Sequence, residues 1–542
     1  MRQTRYRFFL LPLIFALACA GAFAQANSDL TGIVTDQTGA VVPDATVTIT
    51  NPATGVTKST VSGATGLYDI SGLNPATYNM KVTAKGFQGF AQNGIVVNVS
   101  STARVDVKLT VGAETQTVTV EADALAVQAD SNVVSTLISS QQISEIATEN
   151  RNFAALASLG LGASSTVPDN NTPTSVAANF TISVNGLRQS HNIWLIDGGE
   201  ADDRGGAGGM DIMPSQDAIA EFTVMSSNYP PDYGISSGAT FSLSLKSGTQ
   251  KFHGTLWEFN RNTDYDANNY FNKYNTTTPT PRQVLNYNIY GFNIGGPLFI
   301  PKVYNRNHNK TFFFWNEEWR KINQGNSPNV VNTLPASDFP TAGTDLTYTP
   351  PAFAGPGTGY NNTPYVPGIA VPYSGTAAPT GTQNSYFEPC LDPSVTDKDA
   401  CQTSLLTQYG LTPGHAFPNN TIPHQLFDPN AVLWLSSGIL PKPNRSDGKV
   451  ISEAQTPINV RDDIVRIDHT INSKWQILGH YMHDSVSQAS GGPELGWDWY
   501  SYNTVTSVLD NPSNSAALKL SGTISPNLLL EASFNYDGNI IN

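Results

Sequence analysis

Three groupings of residues have the types and spacing for chemistry. Gly234-Ile235-Ser236-Ser237-Gly238 has the G-x-S-x-G order that presents a nucleophilic serine in many hydrolases. Such an elbow must leave a strand and enter a helix, but Ala239 to Leu245 alternates as a strand, so this match is rejected. Asp197, Glu200, Asp202, Asp203 and Asp211 gather hard oxygens in a Gly-rich stretch. They lack the ordered spacing of an EF-hand, and a solvated loop is favoured over a calcium ion on Asp197, Glu200, Asp202 and Asp203. Cys390 and Cys401 stand in a Pro- and Asn-rich stretch, where a disulfide suits an oxidising compartment and two unrelated free thiols are the alternative. The histidines are scattered, and no paired acid and base stands out. No catalytic residue, metal centre or cofactor is nominated, and an enzyme is not expected.

The elements around these residues are those of a β-rich, exported chain. In 542 residues only 13 % are charged while 10 % are aromatic, with 45 Gly and 35 Pro, a profile poor in helix formers. The length calls for several domains or one very large sheet. A formal charge of −14 argues against nucleic acid, which needs concentrated Lys and Arg. Arg2, Arg5 and Arg7 precede an apolar run from Phe8 to Phe23 that ends in Ala22-Phe23-Ala24, the pattern of a secretory signal peptide over residues 1–24. No other run reaches the roughly 18 apolar residues of a membrane helix, so a membrane-spanning mature chain has to be a β-barrel.

Residues 29–111 carry about seven short alternating runs separated by turns such as Asp36-Gln37-Thr38-Gly39, which predicts a small β-sandwich. In residues 130–247, Ser139 and Ser140 can cap a helix carrying Ile143 and Ile146, and Arg151 to Leu159 forms a second. Strands are expected at Thr181 to Val184, Asn192 to Ile196 and Thr240 to Leu245, the first two joined through Asn185-Gly186 and the second closed by Asp197-Gly198.

From residue 251 onward, strands are expected near 251–262, 283–296, 309–323, 460–471, 474–484, 514–525 and 527–538. Val465, Ile467 and Ile471 alternate with Arg466, Asp468 and Thr470, and Leu518 and Leu520 alternate with Lys519 and Ser521. One greasy and one polar face fits a wall between lipid and a wet lumen, and equally a soluble sandwich. The connections favour the wall, since they run alternately long and short, with residues 324–459 as one very long external loop. Tyr287, Tyr290, Phe292, Phe312 to Trp315 and Trp319 supply aromatics for an interfacial girdle.

The ordered series NGLRQSHNIWLIDGG, AIAEFTVMSSNYPPDYG and FSLSLKSGTQKFHGTLWEFNRN resembles the plug and first barrel strand of TonB-dependent outer-membrane receptors. The Oar-like subgroup, with a carboxypeptidase-regulatory-like domain in front, is the most similar. Gly66-Leu67-Tyr68 and Ala76-Thr77-Tyr78 resemble that domain, and GFNIGGPLFIPK and KTFFFWNEEWR resemble the second and third barrel strands.

The resemblance implies a mainly β fold: an N-terminal β-sandwich, an α+β plug domain and an incomplete antiparallel transmembrane β-barrel. It makes Asn185, Gly186, Arg188, Asp197 and Gly198 the plug signature. Within the 112–129 linker it makes Glu114, Thr115, Thr117, Val118, Val120 and Ala122 a TonB box that pairs with an energy-transducing protein by strand addition. The alternative is that Thr117 to Val120 only continues the sandwich. Seven strands fall short of the family's closed barrel, which implies an N-terminal part of a longer protein.

The expected partners are a TonB-type protein, outer-membrane lipid and an unidentified solute, in the outer membrane of a Gram-negative cell. The function is import of that solute, or alternatively surface adhesion through the sandwich and the large loop.

Overall fold

A computed structural model describes residues 28–540 apart from 114–116, 122–130, 149–150, 166–181, 204–208, 231–232, 234–235, 275–280, 283, 326–328, 333, 349–365, 368–370, 373–381, 384–385, 414, 439–441, 447, 453–454, 491–506 and 526–527. The expected signal peptide, residues 1–24 with Cys19, and Glu114, Thr115 and Ala122 of the expected box lie outside the described residues.

The N-terminal unit is a two-layer sandwich. One sheet centres on Ser28–Asp36, flanked by Leu67–Leu73 and by two short parallel strands, Thr102–Arg104 and Val107–Leu109. The other runs in the order Thr57–Val61, Thr46–Thr50, Ala76–Thr83, Gly89–Val97 and Thr117–Glu121. Strict alternation buries Leu30, Val34, Val47, Ile49, Met80 and Val82 between the layers. The alternating run Arg104 to Leu109 does not form one strand but is broken between Thr102–Arg104 and Val107–Leu109. At the break the Val105 carbonyl accepts the Tyr68 hydroxyl at 2.6 Å, and Asp106 accepts the amide of Ile33 at 3.0 Å.

The next unit is built on a sheet ordered Val134–Ile138, Ile219–Ser227, Thr240–Leu245, Ile193–Ile196 and Gly199–Glu200. Its Thr240–Leu245 strand is buried on both faces and pairs in parallel with Ile193–Ile196. This explains its mixed Thr, Phe, Ser and Leu content, since small polar residues fit where two layers press on one strand. Trp194 stacks on Phe241 with centroids 4.1 Å apart, and Phe153 meets Trp194 and Phe222 edge-on. Ser139 caps Ser140–Glu145 in a capping box with Gln142, and Asn152 caps the 3-10 turn Phe153–Leu159. Ile143, Phe153 and Leu156 are buried, whereas Ile146 and Leu159 are exposed at the ends of their short helices.

Residues from 253 form one sheet of seven strands in sequence order, every neighbour antiparallel: β1 His253–Asn262, β2 Leu285–Pro297, β3 Thr311–Gly325, β4 Gln455–Thr470, β5 Trp475–Ser490, β6 Ser507–Ser525 and β7 Leu528–Asn539. The sheet is open, with β1 and β7 as its edges. The β2–β3, β4–β5 and β6–β7 junctions fall at one end of the sheet, and the β1–β2, β3–β4 and β5–β6 junctions, whose strands are further apart in sequence, at the other.

Val465, Ile467, Tyr481 and Leu518 point away from the plug, while Arg466, His480, Met482 and Ala517 are buried on the plug side. From Asp463 of β4 to Ile471, just past its end, the outward-facing residues span roughly 26 Å along the strand direction. At a 40° tilt that is about 20 Å of height, near the apolar band of an outer-membrane wall. An outward charged row, Glu317, Arg461 and Asp463, linked by 2.9 Å ion pairs, marks its edge.

The aromatic girdle expected in β2 and β3 is only half present. Tyr290, Phe292, Phe313, Trp315 and Trp319 face outward, but Tyr287, Phe312 and Phe314 are buried on the inner side. Successive strand residues alternate sides, so a Phe-Phe-Phe-Trp run cannot all face lipid. The inner members serve other contacts, Phe314 joining Ile464 and Met482 in the plug's core.

The 324–459 stretch, expected as a loop, carries structure of its own. Asn329–Asn332 pairs with Lys449–Ser452, and a separate small core gathers Tyr348, Val366, Phe387, Leu411, Phe417 and Leu426. Cys390 is bonded to Cys401 beside the helix Lys398–Gln408.

Candidate functional site: the plug, wall and sandwich junction

The junction begins at a two-residue turn. Asp197 (φ 50°) and Gly198 (φ 89°) join Ile193–Ile196 to Gly199–Glu200, with Ile196 opposite Gly199. Both residues sit at positive φ, as a type I′ turn requires, and Asp followed by Gly is a sequence that tolerates it. The turn projects the Asp197 carboxylate onto the inner wall. One oxygen accepts from Arg466 Nη1 at 2.8 Å and from the Leu245 amide at 3.2 Å, while the other lies 3.0 Å from His480 Nδ1.

Arg466 is used along its whole edge. It donates to the Leu245 carbonyl at 2.7 Å and, through Nε and Nη2, to both oxygens of Asp468 at 3.0 Å. Asp468 also accepts from Ser247 at 2.7 Å, at the plug's exit, and from Asn74 of the sandwich at 2.9 Å. One guanidinium thus ties the plug to the wall, and its partner carboxylate reaches the third body. Burial by itself pushes the Asp197 carboxyl up, but Arg466, His480 and the Leu245 amide outweigh it and hold it below the usual carboxylate range.

The sandwich is seated directly on the plug. Glu221 accepts the amide of Val99, Thr223 donates to the Val99 carbonyl at 3.2 Å, and Ser100 bonds Ser242 at 2.8 Å. Gln476 of the wall donates to the Gly72 carbonyl. Burial lifts the Glu221 carboxyl to about 7, the Val99 amide offsetting part of the rise. A cavity of about 50 Å³ between the three bodies is bordered by Lys58, Tyr78, Ser247, Asp468 and Gln476, room for a water or two. All these contacts lie at the short-connection end of the wall. Further along the seam, Ser215 of the plug donates to Glu318 of β3 at 2.8 Å, and Arg151, paired with Asp217, stands over the Phe259 ring at 4.0 Å.

The residues nominated from the sequence separate into distinct places. Asn185 and Gly186, both at positive φ, form the tight turn after Ile182–Val184, and Asn185 Nδ2 donates to the Ser226 carbonyl at 2.8 Å. Arg188 precedes a single 3-10 turn, Gln189–His191.

The acidic group does not converge. Asp197 is taken by Arg466, Asp202 accepts the Trp194 amide at 2.9 Å, and Asp203 bonds back to Gly209 through its amide. Among the described residues no three His, Cys, Asp or Glu side chains are placed to hold a metal ion, so the calcium arrangement on Asp197, Glu200, Asp202 and Asp203 is not formed. The reason is electrostatic, since the buried guanidinium on the facing wall competes for Asp197.

Ser236 lies 2.9 Å from the His191 carbonyl and 3.0 Å from that of Ala239, and the chain continues into a strand, so no nucleophile elbow exists there. His480 and His483 have the H-x-x-H spacing, but three residues apart on a strand they face opposite sides, so one ion cannot take both.

Thr117–Glu121 pairs in parallel with Gly89–Val97 as the edge strand of the sandwich sheet, Ala91 opposite Thr119. The wall half of the lock, Arg466, Asp468 and His480, escapes sequence reasoning. Its only signal is three charged or titratable residues on the inward parity of strands otherwise expected to face a wet lumen.

A family model described as an outer membrane beta barrel domain matches residues 244–542, and one described as a carboxypeptidase regulatory-like domain matches 29–110. A curated relative, the TonB-dependent transporter Oar of Myxococcus xanthus, is 24 % identical over 295 residues, covering 53 % of this chain and 26 % of its own. This chain therefore spans about a quarter of the length of that relative. Among solved structures, the outer membrane transporter YddB of Escherichia coli aligns over 74 % of this chain and 38 % of its own, at 11 % identity and a TM-score of 0.40. A mutant of the ferric enterobactin receptor PfeA of Pseudomonas aeruginosa aligns over 74 % and 48 %, at 10 % identity and a TM-score of 0.30.

Proposed function

This chain belongs to the outer membrane beta barrel domain family, and on that premise we propose that it takes part in energy-coupled import of a solute across the outer membrane. Its place is the outer membrane of a Gram-negative cell. The observation that carries the proposal is the latched plug: a globular unit held against the inner wall by Asp197 and Arg466, with the sandwich seated beneath it.

The partner is a TonB-type protein in the periplasm, and the contact is the segment 114–122. Thr117–Glu121 already has one edge paired with the sandwich. A strand has two hydrogen-bonding edges, so this pairing and addition of a partner strand are compatible. Tension on that segment runs along the chain to Val134–Ile138, the edge strand of the plug sheet, which leaves by breaking its pairing with Ile219–Ser227 alone. Displacement of the sheet then draws Asp197 off Arg466 and opens the seam to water. The solute itself, whether siderophore, glycan or peptide, has no recognisable signature in these residues.

The test is retention of the purified periplasmic domain of the transducing protein by the detergent-solubilised chain. Val118→Pro, on the exposed edge strand, removes a ladder donor. We expect retention to be lost while the β-type circular dichroism of the chain is unchanged, and retention unaffected by the substitution would refute the box. A second reading, surface adhesion, is favoured by the separate disulfide-bonded core between β3 and β4. Adhesion that survives a proton uncoupler, with no coupled uptake, would support it instead.

A further inference from the structure

The inner wall carries a second polar cluster that the Arg466 lock does not use. Glu318 of β3, Asp462 of β4 and Asp484 of β5 stand directly opposite one another across neighbouring strands, and Ser513 of β6 continues the row. All four are 1 % exposed. Glu318 is satisfied, taking Arg320 Nε at 2.8 Å, Trp257 Nε1 at 3.1 Å and the Ser215 hydroxyl of the plug at 2.8 Å.

Asp462 and Asp484 are not satisfied. Both Asp462 oxygens and Asp484 Oδ1 are buried without a hydrogen-bond partner. Asn316, wholly buried and diagonal to Asp462 on the same face, has both amide atoms unpartnered, and the Ser513 hydroxyl is unpartnered as well.

Two carboxylates opposite each other in an antiparallel pair have Cβ atoms about 5 Å apart. Removed from water they repel strongly, and Arg320, which bonds Glu318 and acts through space on Asp462 and Asp484, sets one positive charge against three acids. Buried polar atoms of this kind mark an ion or ordered water. The acceptors offered are carboxylate oxygens, an amide oxygen and a hydroxyl, the hard set that calcium takes in a flexible shell.

We propose that Asp462 and Asp484, with Asn316 and Ser513, hold a calcium ion at the seam between plug and wall. Since no three acidic or histidine side chains converge among the described residues, the shell is two carboxylates completed by neutral oxygens and water. The ion neutralises the row and stiffens the seam next to Ser215. This inference rests on the wall geometry and stands whether or not the import reading does.

Terbium(III), a luminescent stand-in for calcium, tests it on the full chain in detergent. The indole of Trp257, bonded to Glu318 in the same row, is placed to sensitise it. Excitation of tryptophan is expected to give terbium emission that millimolar calcium displaces, and calcium is expected to raise the thermal midpoint by about 2 °C. Asp462→Asn with Asp484→Asn should abolish both effects, whereas Asp463→Asn, on the outward face of the same strand, should leave both intact. Circular dichroism of the double variant separates loss of the site from loss of the fold. If the variant is folded and the emission unchanged, or if the unaltered chain gives no displaceable emission, the proposal is overturned and water alone satisfies the row.

Discussion

Asp197 is the residue on which the junction turns. A buried carboxylate is tolerable because a guanidinium, an imidazole and an amide meet it. Removing one partner of a buried pair leaves an uncompensated charge, which typically costs about 3–5 kcal/mol, more than the pair contributes when whole. Arg466→Leu is therefore expected to lower the stability of plug seating by about that amount, read as a fall in the urea concentration that releases the plug to protease. Adding Asp197→Asn should recover part of the loss, because one of the two stranded carboxylates is then neutral while Asp468 keeps only Ser247 and Asn74 as donors. A loss that the second substitution does not relieve at all would assign the effect to Asp468 or to packing rather than to Asp197.

At the scale of the element, alternation decides which face of each strand meets lipid. Leu518 is outward and half-exposed at the middle of β6, opposite Gly479 of β5 and Phe534 of β7. An arginine there would stand in hydrocarbon, where the cost is about 2–4 kcal/mol near the midplane. Leu518→Arg is expected to reduce folding into vesicles by that amount, whereas Ala517→Ser, one residue along and facing the plug, should cost far less. Equal losses would mean that the outward face of β6 does not touch lipid.

This alternation is the part of the fold most open to reading from sequence. Ile467 and Arg466, or Leu518 and Lys519, announce their sides because lipid and interior demand opposite chemistry. In β2 and β3 the same rule loses its contrast. The plug contributes apolar atoms to the inner side, so Tyr287 and Phe314 look like lipid-facing aromatics and are not. Sandwich boundaries drift for a related reason: Thr102–Arg104 and Val107–Leu109 are separated by side-chain bonds to Tyr68 and Ile33 that no local pattern encodes.

For the whole molecule, the relation of sandwich, plug and wall depends on groups that meet only when the three are together. Burial raises the Glu221 carboxyl of the plug from 4.5 to about 7 where it meets the Val99 amide of the sandwich. An acid whose pKa is raised by docking keeps its proton in the docked state while the free state releases it. Docking is therefore strongest below the free value and weakens as pH climbs to the docked value. Glu221 accounts for up to about 3 kcal/mol between pH 4.5 and 7.

Lys58 is lowered to about 7, by burial first and Lys519 second, so its contribution grows from pH 7 to 10.5 and the weakest docking falls near neutrality. Protease cleavage between sandwich and plug should accordingly be slower at pH 5 than at pH 7.5. Glu221→Gln, which keeps an oxygen for the Val99 amide, should remove most of that difference. A profile unchanged by the substitution would assign the dependence to other groups.

By itself the sequence determined the class of fold, the plug turns and the faces of the later wall strands. These follow from local rules: period-two polarity, Asn-Gly and Asp-Gly turns that accept positive φ, and a capping serine. Tertiary structure alone decided that Asp197 turns from its acidic neighbours to Arg466, that Thr117–Glu121 completes the sandwich sheet, and that Asp462 faces Asp484. Each of these is a competition between partners distant in the chain, and the buried charge left over selects the winner.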